Sequence, residues 1–142
     1  MLTVITGPPC SGKSTYLRQH ARPGDIVIDF DVLAQALGSP DTHEHPDPIR
    51  YVTTVARRAA VDAAVRQHLT RDAVVWIVDS SPGQRRTQLY EDAGATWVTL
   101  SVDREELHRR AHAERPKRWH KIIDEWQPSR HASTEVEGSR SW

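Results

Sequence analysis

The residues best suited to chemistry lie near the N-terminus, where the chain carries the pattern GxxxxGK[ST] followed by threonine. Glycines let the backbone curl until several N–H groups point inward, and a helix starting at the loop adds partial positive charge. In such a loop the lysine reaches the outer phosphates of a nucleotide and the Ser or Thr hydroxyl ligates Mg2+. The pattern therefore predicts binding of ATP with Mg2+. The predicted nucleotide-binding residues are Gly7, Pro8, Pro9, Cys10, Ser11, Gly12, Lys13, Ser14 and Thr15.

The surrounding sequence supplies the elements that such a loop needs. The short β-branched run Leu2–Thr6 predicts a buried parallel strand before the loop, and Lys13 to His20 predicts a helix after it. Further strands are predicted at 25–29, 73–79 and 96–102, with helices between them. This alternation predicts an α/β fold with a parallel sheet and helices on both faces.

Size and composition limit the range of architectures and locations. The chain has 142 residues, enough for one domain, which we place at residues 1–126. Residues 127–142 are rich in Ser, Arg and Glu, which predicts a disordered tail. Lys plus Arg and Asp plus Glu both total 19, so net charge does not indicate a polyanionic partner. A single cysteine and the lack of an apolar stretch of membrane length favour a cytoplasmic location without a membrane.

A carboxylate that could bind the metal follows the most apolar strand. Asp79 ends the run AVVWIVD, which must lie centrally in the sheet. A carboxylate there can hold the hydration shell of Mg2+, so Ser14 and Asp79 are the predicted metal residues. A plain capping role for Asp79 is the alternative.

Over about residues 2–126 the chain resembles the P-loop kinases that include phage-type polynucleotide kinases, zeta toxins and small nucleotide kinases. Four segments carry the resemblance: GPPCSGKST at 7–15, IDFD at 28–31, VVWIVDSS at 74–81 and EELHRRAHAER at 105–115. It implies a three-layer α/β/α P-loop NTPase fold, a four-stranded sheet in the order 2-3-1-4 and an arginine-bearing lid.

The resemblance also implies catalytic roles for particular residues. Asp31 matches the carboxylate that accepts the proton of the attacking hydroxyl, with Asp29 as the second choice. Asp31 could also be the N-cap of a helix starting at Val32. Arg110 best matches the lid arginine, and Arg115 lies just beyond it. The predicted catalytic residues are therefore Lys13, Asp31 and Arg110.

The acceptor is less well defined. Phage-type kinases carry an arginine for the acceptor phosphate shortly after the catalytic aspartate, whereas this chain has Val32, Leu33 and Ala34. The histidines His43 and His45, in a loop predicted at 39–48, could contact a base or sugar. Several arginines could replace the missing contact: Arg50, Arg57, Arg58, Arg85 and Arg86.

Three functions remain open from the sequence. The favoured one is transfer of the γ-phosphoryl group of ATP to a hydroxyl on nucleic acid, at a 5′ end or on a hydroxymethylated base. The second is phosphorylation of a nucleotide, nucleoside or other small molecule. The third is an NTP-dependent switch or ATPase that phosphorylates nothing.

Overall fold

A computed structural model describes residues 1–114, 118–128 and 134–137 of the chain. Its strands form a single parallel sheet in the order β2-β3-β1-β4-β5. The strands are β1 (Leu2–Thr6), β2 (Ile26–Ile28), β3 (Val75–Val78), β4 (Thr96–Ser101) and β5 (Thr134–Glu137). The helices are α1 (Lys13–His20), α2 (Phe30–Ala36), α3 (Asp47–Arg71), α4 (Gln84–Asp92), α5 (Arg104–Glu114) and α6 (Arg118–Glu125).

The sheet is covered on both faces, which confirms the predicted α/β class with helices on both sides. All of β1 and β3 is buried, as expected for strands that are apolar on both faces. Val4 belongs to a core with residues of α3 and α4, whereas the next residue, Ile5, packs with Leu17 of α1. Alternate side chains therefore fill two separate hydrophobic cores, one on each side of the sheet.

The predicted four-stranded sheet was one strand short. The order 2-3-1-4 is present, but β5 extends it beyond β4, with Leu100 opposite Val136. Thr134–Glu137 lies in the segment predicted to be a disordered tail, so that prediction was wrong for these four residues. Val136 packs against the core on the α1 side. It is the one apolar residue of this strand, which is why the sequence did not indicate a strand here.

The turn after β2 differs from the predicted one. Helix α2 begins at Phe30, and Asp29 is its N-cap, because an oxygen of Asp29 accepts a hydrogen bond from the Asp31 backbone at 3.0 Å. The alternative that made Asp31 the N-cap was therefore wrong. As a consequence, the Asp31 side chain lies in the first turn of α2 and does not cap the helix.

Helices α5 and α6 form a small layer beside the phosphate-binding loop. Leu107 and Ala111 of α5 share a buried cluster with Ile123 of α6 and with Cys10 of the loop. Among the helices within the described residues, none combines the length and apolar character that crossing a membrane requires.

Candidate functional site

The loop between β1 and α1 has the backbone conformation of a phosphate cradle. Gly7, Cys10 and Gly12 have positive φ values of 151°, 63° and 88°. Residues other than glycine rarely adopt this backbone region. A Cβ on Gly7 would lie 2.6 Å from the Ser11 hydroxyl and 3.0 Å from the Leu100 carbonyl. Glycine is therefore required at position 7 both by conformation and by space.

The start of α1 is suited to an anion. The first N–H groups of a helix have no intrahelical partner. Here Gly12 is the N-cap without a side-chain hydrogen bond, and the first turn contains no acidic residue. The Ser11 hydroxyl is fully buried and has no hydrogen-bond partner among the described residues. This end of the helix thus presents donors that the protein itself leaves for a phosphate group.

The side chain of Lys13 folds back over the loop. Its ammonium group donates to the Gly7 carbonyl at 2.9 Å and to the Pro8 carbonyl at 2.7 Å. Both acceptors belong to the loop, so the charge lies over the space that the loop surrounds. Lys13 also lines the pocket, and its contact with a phosphate stays a prediction.

The hydroxyl of Ser14 is paired with the end of β2. It donates to a carboxylate oxygen of Asp29 at 2.5 Å. Asp29 is buried, with 5% of its surface exposed, and its other oxygen caps α2. The structure therefore brings together Ser14 and Asp29, whereas the sequence had paired Ser14 with Asp79.

Asp79 is instead enclosed by donors from two helices. Its carboxylate accepts from Arg86 at 2.8 Å and from the Tyr90 hydroxyl at 3.0 Å, and it lies 3.4 Å from Arg57. Burial, followed by the neighbouring Asp79 charge, raises the pKa of Tyr90, so the tyrosine hydroxyl keeps the proton it donates. Arg57 also donates to the Val78 carbonyl at 2.8 Å. These contacts give Asp79 a role in joining α3 and α4 to the end of β3.

Asp31 is held by the two histidines of the loop between α2 and α3. One oxygen lies 2.7 Å from His45 Nε2, and the other lies 3.2 Å from His43 Nδ1. A third of the Asp31 side chain is exposed, and it faces the pocket. Within the described residues no group of three or more His, Cys, Asp or Glu side chains is arranged to hold a metal ion. The histidines thus contact the predicted general base directly.

Of the predicted lid arginines, Arg110 contacts the phosphate-binding loop from outside. It donates to the Cys10 carbonyl at 3.0 Å and to Glu106 at 2.9 Å, and its side chain is 5% exposed. It does not belong to the described residues that line the pocket. Arg115 lies outside the described residues. The neighbouring Arg109, which had no assigned role, is exposed and paired with Glu106.

A pocket of about 530 Å3 joins these groups. Its lining includes Lys13, Ser14, Asp29, Asp31 and Asp79 of the sequence-based candidates. The sequence had not assigned Arg18 or Trp119 to the site, and it had left Arg57 as one of several arginines. All three line the pocket, and they come from α1, α6 and α3.

Helix α6 also contacts two other walls of the site. Arg118 pairs with Glu44 of the histidine loop. The indole N–H of Trp126 donates to the Ser80 carbonyl, just after β3, at 2.9 Å. Trp119 lines the pocket itself, whereas Trp126 contacts Ser80, a residue of the pocket wall.

Comparison with known proteins identifies the family of the chain. A model of the AAA domain family matches residues 4–132. The chain belongs to this AAA domain family. No curated protein sequence matches it.

Two solved structures have a similar fold. One is a provisionally assigned kinase from Chloroflexus aurantiacus, with a TM-score of 0.58 and 14% identity over 96% of this chain and 87% of that one. The other is the tunicamycin resistance protein of Deinococcus radiodurans, with a TM-score of 0.50 and 16% identity over 96% and 84%. At these identities the likeness concerns the fold alone.

Proposed function

We propose that the chain is an ATP-dependent phosphotransferase that moves the γ-phosphoryl group to a hydroxyl group. The observation that carries the proposal is the position of Asp31. A loop that binds phosphates needs no further carboxylate, but Asp31 lies in the same pocket as Lys13 and Ser14. A partly exposed carboxylate beside a phosphate cradle is suited to accept the proton of an incoming hydroxyl.

The proposed reaction assigns a task to each of these groups. The acceptor oxygen attacks the γ phosphorus, the bond from phosphorus to the β,γ-bridging oxygen breaks, and its electron pair leaves with ADP. Asp31 takes the proton of the hydroxyl. Lys13 and the N–H groups at the start of α1 stabilise negative charge on the phosphate oxygens. Most of the acceleration in such reactions comes from positioning and charge stabilisation.

The Ser14–Asp29 pair fits a bound Mg2+. A hydroxyl and a carboxylate are oxygen donors of the kind Mg2+ prefers, and their hydrogen bond orients the Ser14 oxygen. We assign Ser14 as a ligand and Asp29 as the partner that orients it, in place of Asp79. The bound ion would neutralise charge on the β and γ phosphates.

The shape of the pocket favours a compact acceptor. Its volume of about 530 Å3 is typical of small-molecule sites. Beside Asp31 and His43, its lining includes the uncharged residues Val32, Gln35 and Thr42. We therefore favour a nucleotide, a nucleoside or a similar small alcohol as the acceptor over the end of a nucleic acid. Nucleic acid remains the alternative, since Arg58 is exposed on α3.

A panel of acceptors tests the proposal. The protein is incubated with γ-labelled ATP, Mg2+ and, separately, nucleosides, nucleotides, 5′-hydroxyl oligonucleotides and DNA with hydroxymethylated bases. Label in one class of acceptor identifies the substrate. Label that appears only as free phosphate, with every acceptor, would contradict phosphotransfer and support the ATPase or switch function.

Replacing the loop lysine tests the phosphate cradle itself. Lys13→Ala should lower transfer by about 100- to 1,000-fold or more, because it removes a cation that stabilises charge on the transferred group. Lys121→Ala, at an exposed site on α6, is the matched control and should retain the wild-type rate. If Lys13→Ala keeps more than about a tenth of the rate, the assigned role of the lysine is wrong.

A further inference from the structure

The loop between α2 and α3, residues 37–46, is folded by its own hydrogen bonds. The Ser39 backbone N–H donates to the Ala34 carbonyl at 3.0 Å. An oxygen of Asp41 accepts from the backbone N–H groups of His43 at 2.8 Å and of Glu44 at 2.9 Å. These two hydrogen bonds lower the pKa of Asp41, so it remains an acceptor at neutral pH. The loop is therefore a defined support, even though it lies on the surface.

His45 is the most enclosed side chain of this loop. It is 6% exposed, and its ring lies 5.9 Å from the ring of Phe30. Both ring nitrogens have partners: Nε2 lies 2.7 Å from Asp31, and Nδ1 lies 2.7 Å from the Ser39 hydroxyl. The backbone of His45 is also held, because the Arg50 guanidinium group donates to the His45 carbonyl at 3.1 Å. A buried imidazole with two partners cannot read a base or sugar, which was its predicted use.

The chemistry of the partners determines which way the hydrogen bond to Asp31 runs. An ionised carboxylate only accepts, so His45 Nε2 must carry the proton and donate it. The Ser39 hydroxyl can accept from Nδ1–H or donate to Nδ1, and in both cases Nε2 remains the donor. The hydroxyl has one proton, and when it donates that proton to the Asp41 carbonyl, 3.2 Å away, it accepts from Nδ1–H. The chain Ser39–His45–Asp31 thus ends on the candidate base.

We propose that His45 is a positioning residue that aims the Asp31 carboxylate at the acceptor hydroxyl. The inference rests on the role proposed above for Asp31. An aspartate has two free torsions, and a general base must lie within hydrogen-bond reach of the proton it takes. His45 fixes one oxygen from a buried position, and His43, which is 23% exposed, adds a longer contact to the other. His45 is therefore the main support and His43 the lesser one.

ATP hydrolysis provides a test that requires no knowledge of the acceptor, since water then takes the acceptor's place. His45→Ala should lower the turnover number by about 10- to 100-fold, the loss expected when a reacting group is displaced by about 1 Å. The KM for ATP should stay near the wild-type value, because His45 contacts no residue of the phosphate loop in the described structure. His45→Gln, which keeps a side-chain N–H, should recover much of the rate. His68→Ala removes a histidine that contacts a backbone carbonyl at the far end of α3, and it should change neither parameter.

A spectroscopic measurement separates positioning from general stability. In 15N-labelled protein, Asp31→Asn should shift the His45 Nε2 resonance, and Ser39→Ala should shift Nδ1. If the His45 resonances do not respond to Asp31→Asn, the hydrogen bond is absent and the inference is wrong.

The activity measurements also separate this inference from the proposed function. If Asp31→Asn lowers hydrolysis and His45→Ala does not, the positioning role is wrong and the general base stands. If Asp31→Asn keeps the full rate, the base assignment is wrong and the role of His45 is wrong with it.

Discussion

The ends of β2 and β3 both present aspartates to the same pocket, yet their surroundings differ. At the end of β2, Asp29 contacts a serine hydroxyl and a backbone N–H, and Asp31 contacts two imidazoles. At the end of β3, Asp79 lies among two guanidinium groups and a tyrosine hydroxyl. Asp31 keeps a third of its side chain exposed, whereas Asp29 and Asp79 are both buried, the first beside a serine hydroxyl and the second among two guanidinium groups.

This contrast shows that position on a sheet does not fix the role of a carboxylate. The carboxyl ends of parallel strands commonly form binding crevices, and the sequence placed Asp79 there correctly. Two arginines neutralise it: Arg57 from α3, 22 residues earlier in the chain, and Arg86 from α4, which follows Asp79 closely. We therefore expect substitutions at the β2 end to affect turnover and substitutions at the β3 end to affect stability.

The largest expected effect is on the rate at the β2 end. Asp31→Asn should lower turnover by about 100- to 10,000-fold, the contribution typical of a general base, with ATP affinity nearly unchanged. Single-turnover transfer and ATP binding measure the two quantities. Asp62→Asn, at an exposed position on α3, is the control. A loss of ATP binding with unchanged turnover would contradict the distinction.

The corresponding change at β3 should act on folding. Asp79→Asn leaves the buried Arg57 without its counter-charge, and breaking a buried pair in this way costs about 3 kcal/mol or more. For a domain of this size we expect a fall in Tm on the order of 10 °C, measured by calorimetry. Retained stability with a lost Mg2+ requirement would instead support the original metal role of Asp79.

Magnesium dependence distinguishes the two ends further. Asp29→Asn preserves the helix cap, because asparagine caps helices as well as aspartate. It removes the charge beside Ser14, so the Mg2+ concentration for half-maximal ATP binding should rise by about tenfold or more. Titrating Mg2+ against a fluorescent ATP analogue measures this shift. An unchanged Mg2+ requirement would remove Asp29 from the proposed site.

The smallest expected effect concerns the hydroxyl of Tyr90. Tyr90→Phe removes one donor to the buried Asp79 and should cost about 1 to 3 kcal/mol in the free energy of unfolding. Urea denaturation measures it, and Tyr51→Phe at an exposed site on α3 is the control. Since burial holds the pKa of Tyr90 above its ordinary value, mildly alkaline pH should leave this hydrogen bond intact. Equal stability of both variants would show that the hydroxyl contributes little.

The sequence predicted local features well. Loop glycines, Lys13 and Ser14 are close together in the chain, so their placement around one loop follows from local geometry. The bounds of β1 and α1 were confirmed to the residue. The parallel sheet followed from the alternation of strands and helices.

Features that depend on packing between distant segments could not be predicted in the same way. The sequence left Arg57 as one of several arginines for the acceptor, but the structure buries it with Thr53 and Val61, one turn to either side. The four-residue spacing of Arg57 from these two buried positions was the available signal. A charged residue is nevertheless expected on the surface unless its buried partner, here Asp79, is known. The contact between His45 and Asp31 joins residues on different elements, and sequence spacing does not specify it.

The contacts of α6 and the residue after it have a consequence for two walls of the pocket. Arg118 pairs with Glu44 of the loop between α2 and α3, and Trp126 donates to the Ser80 carbonyl after β3. One short segment therefore bridges two parts of the chain that are distant in sequence, and a substitution that detaches it would loosen both walls at once.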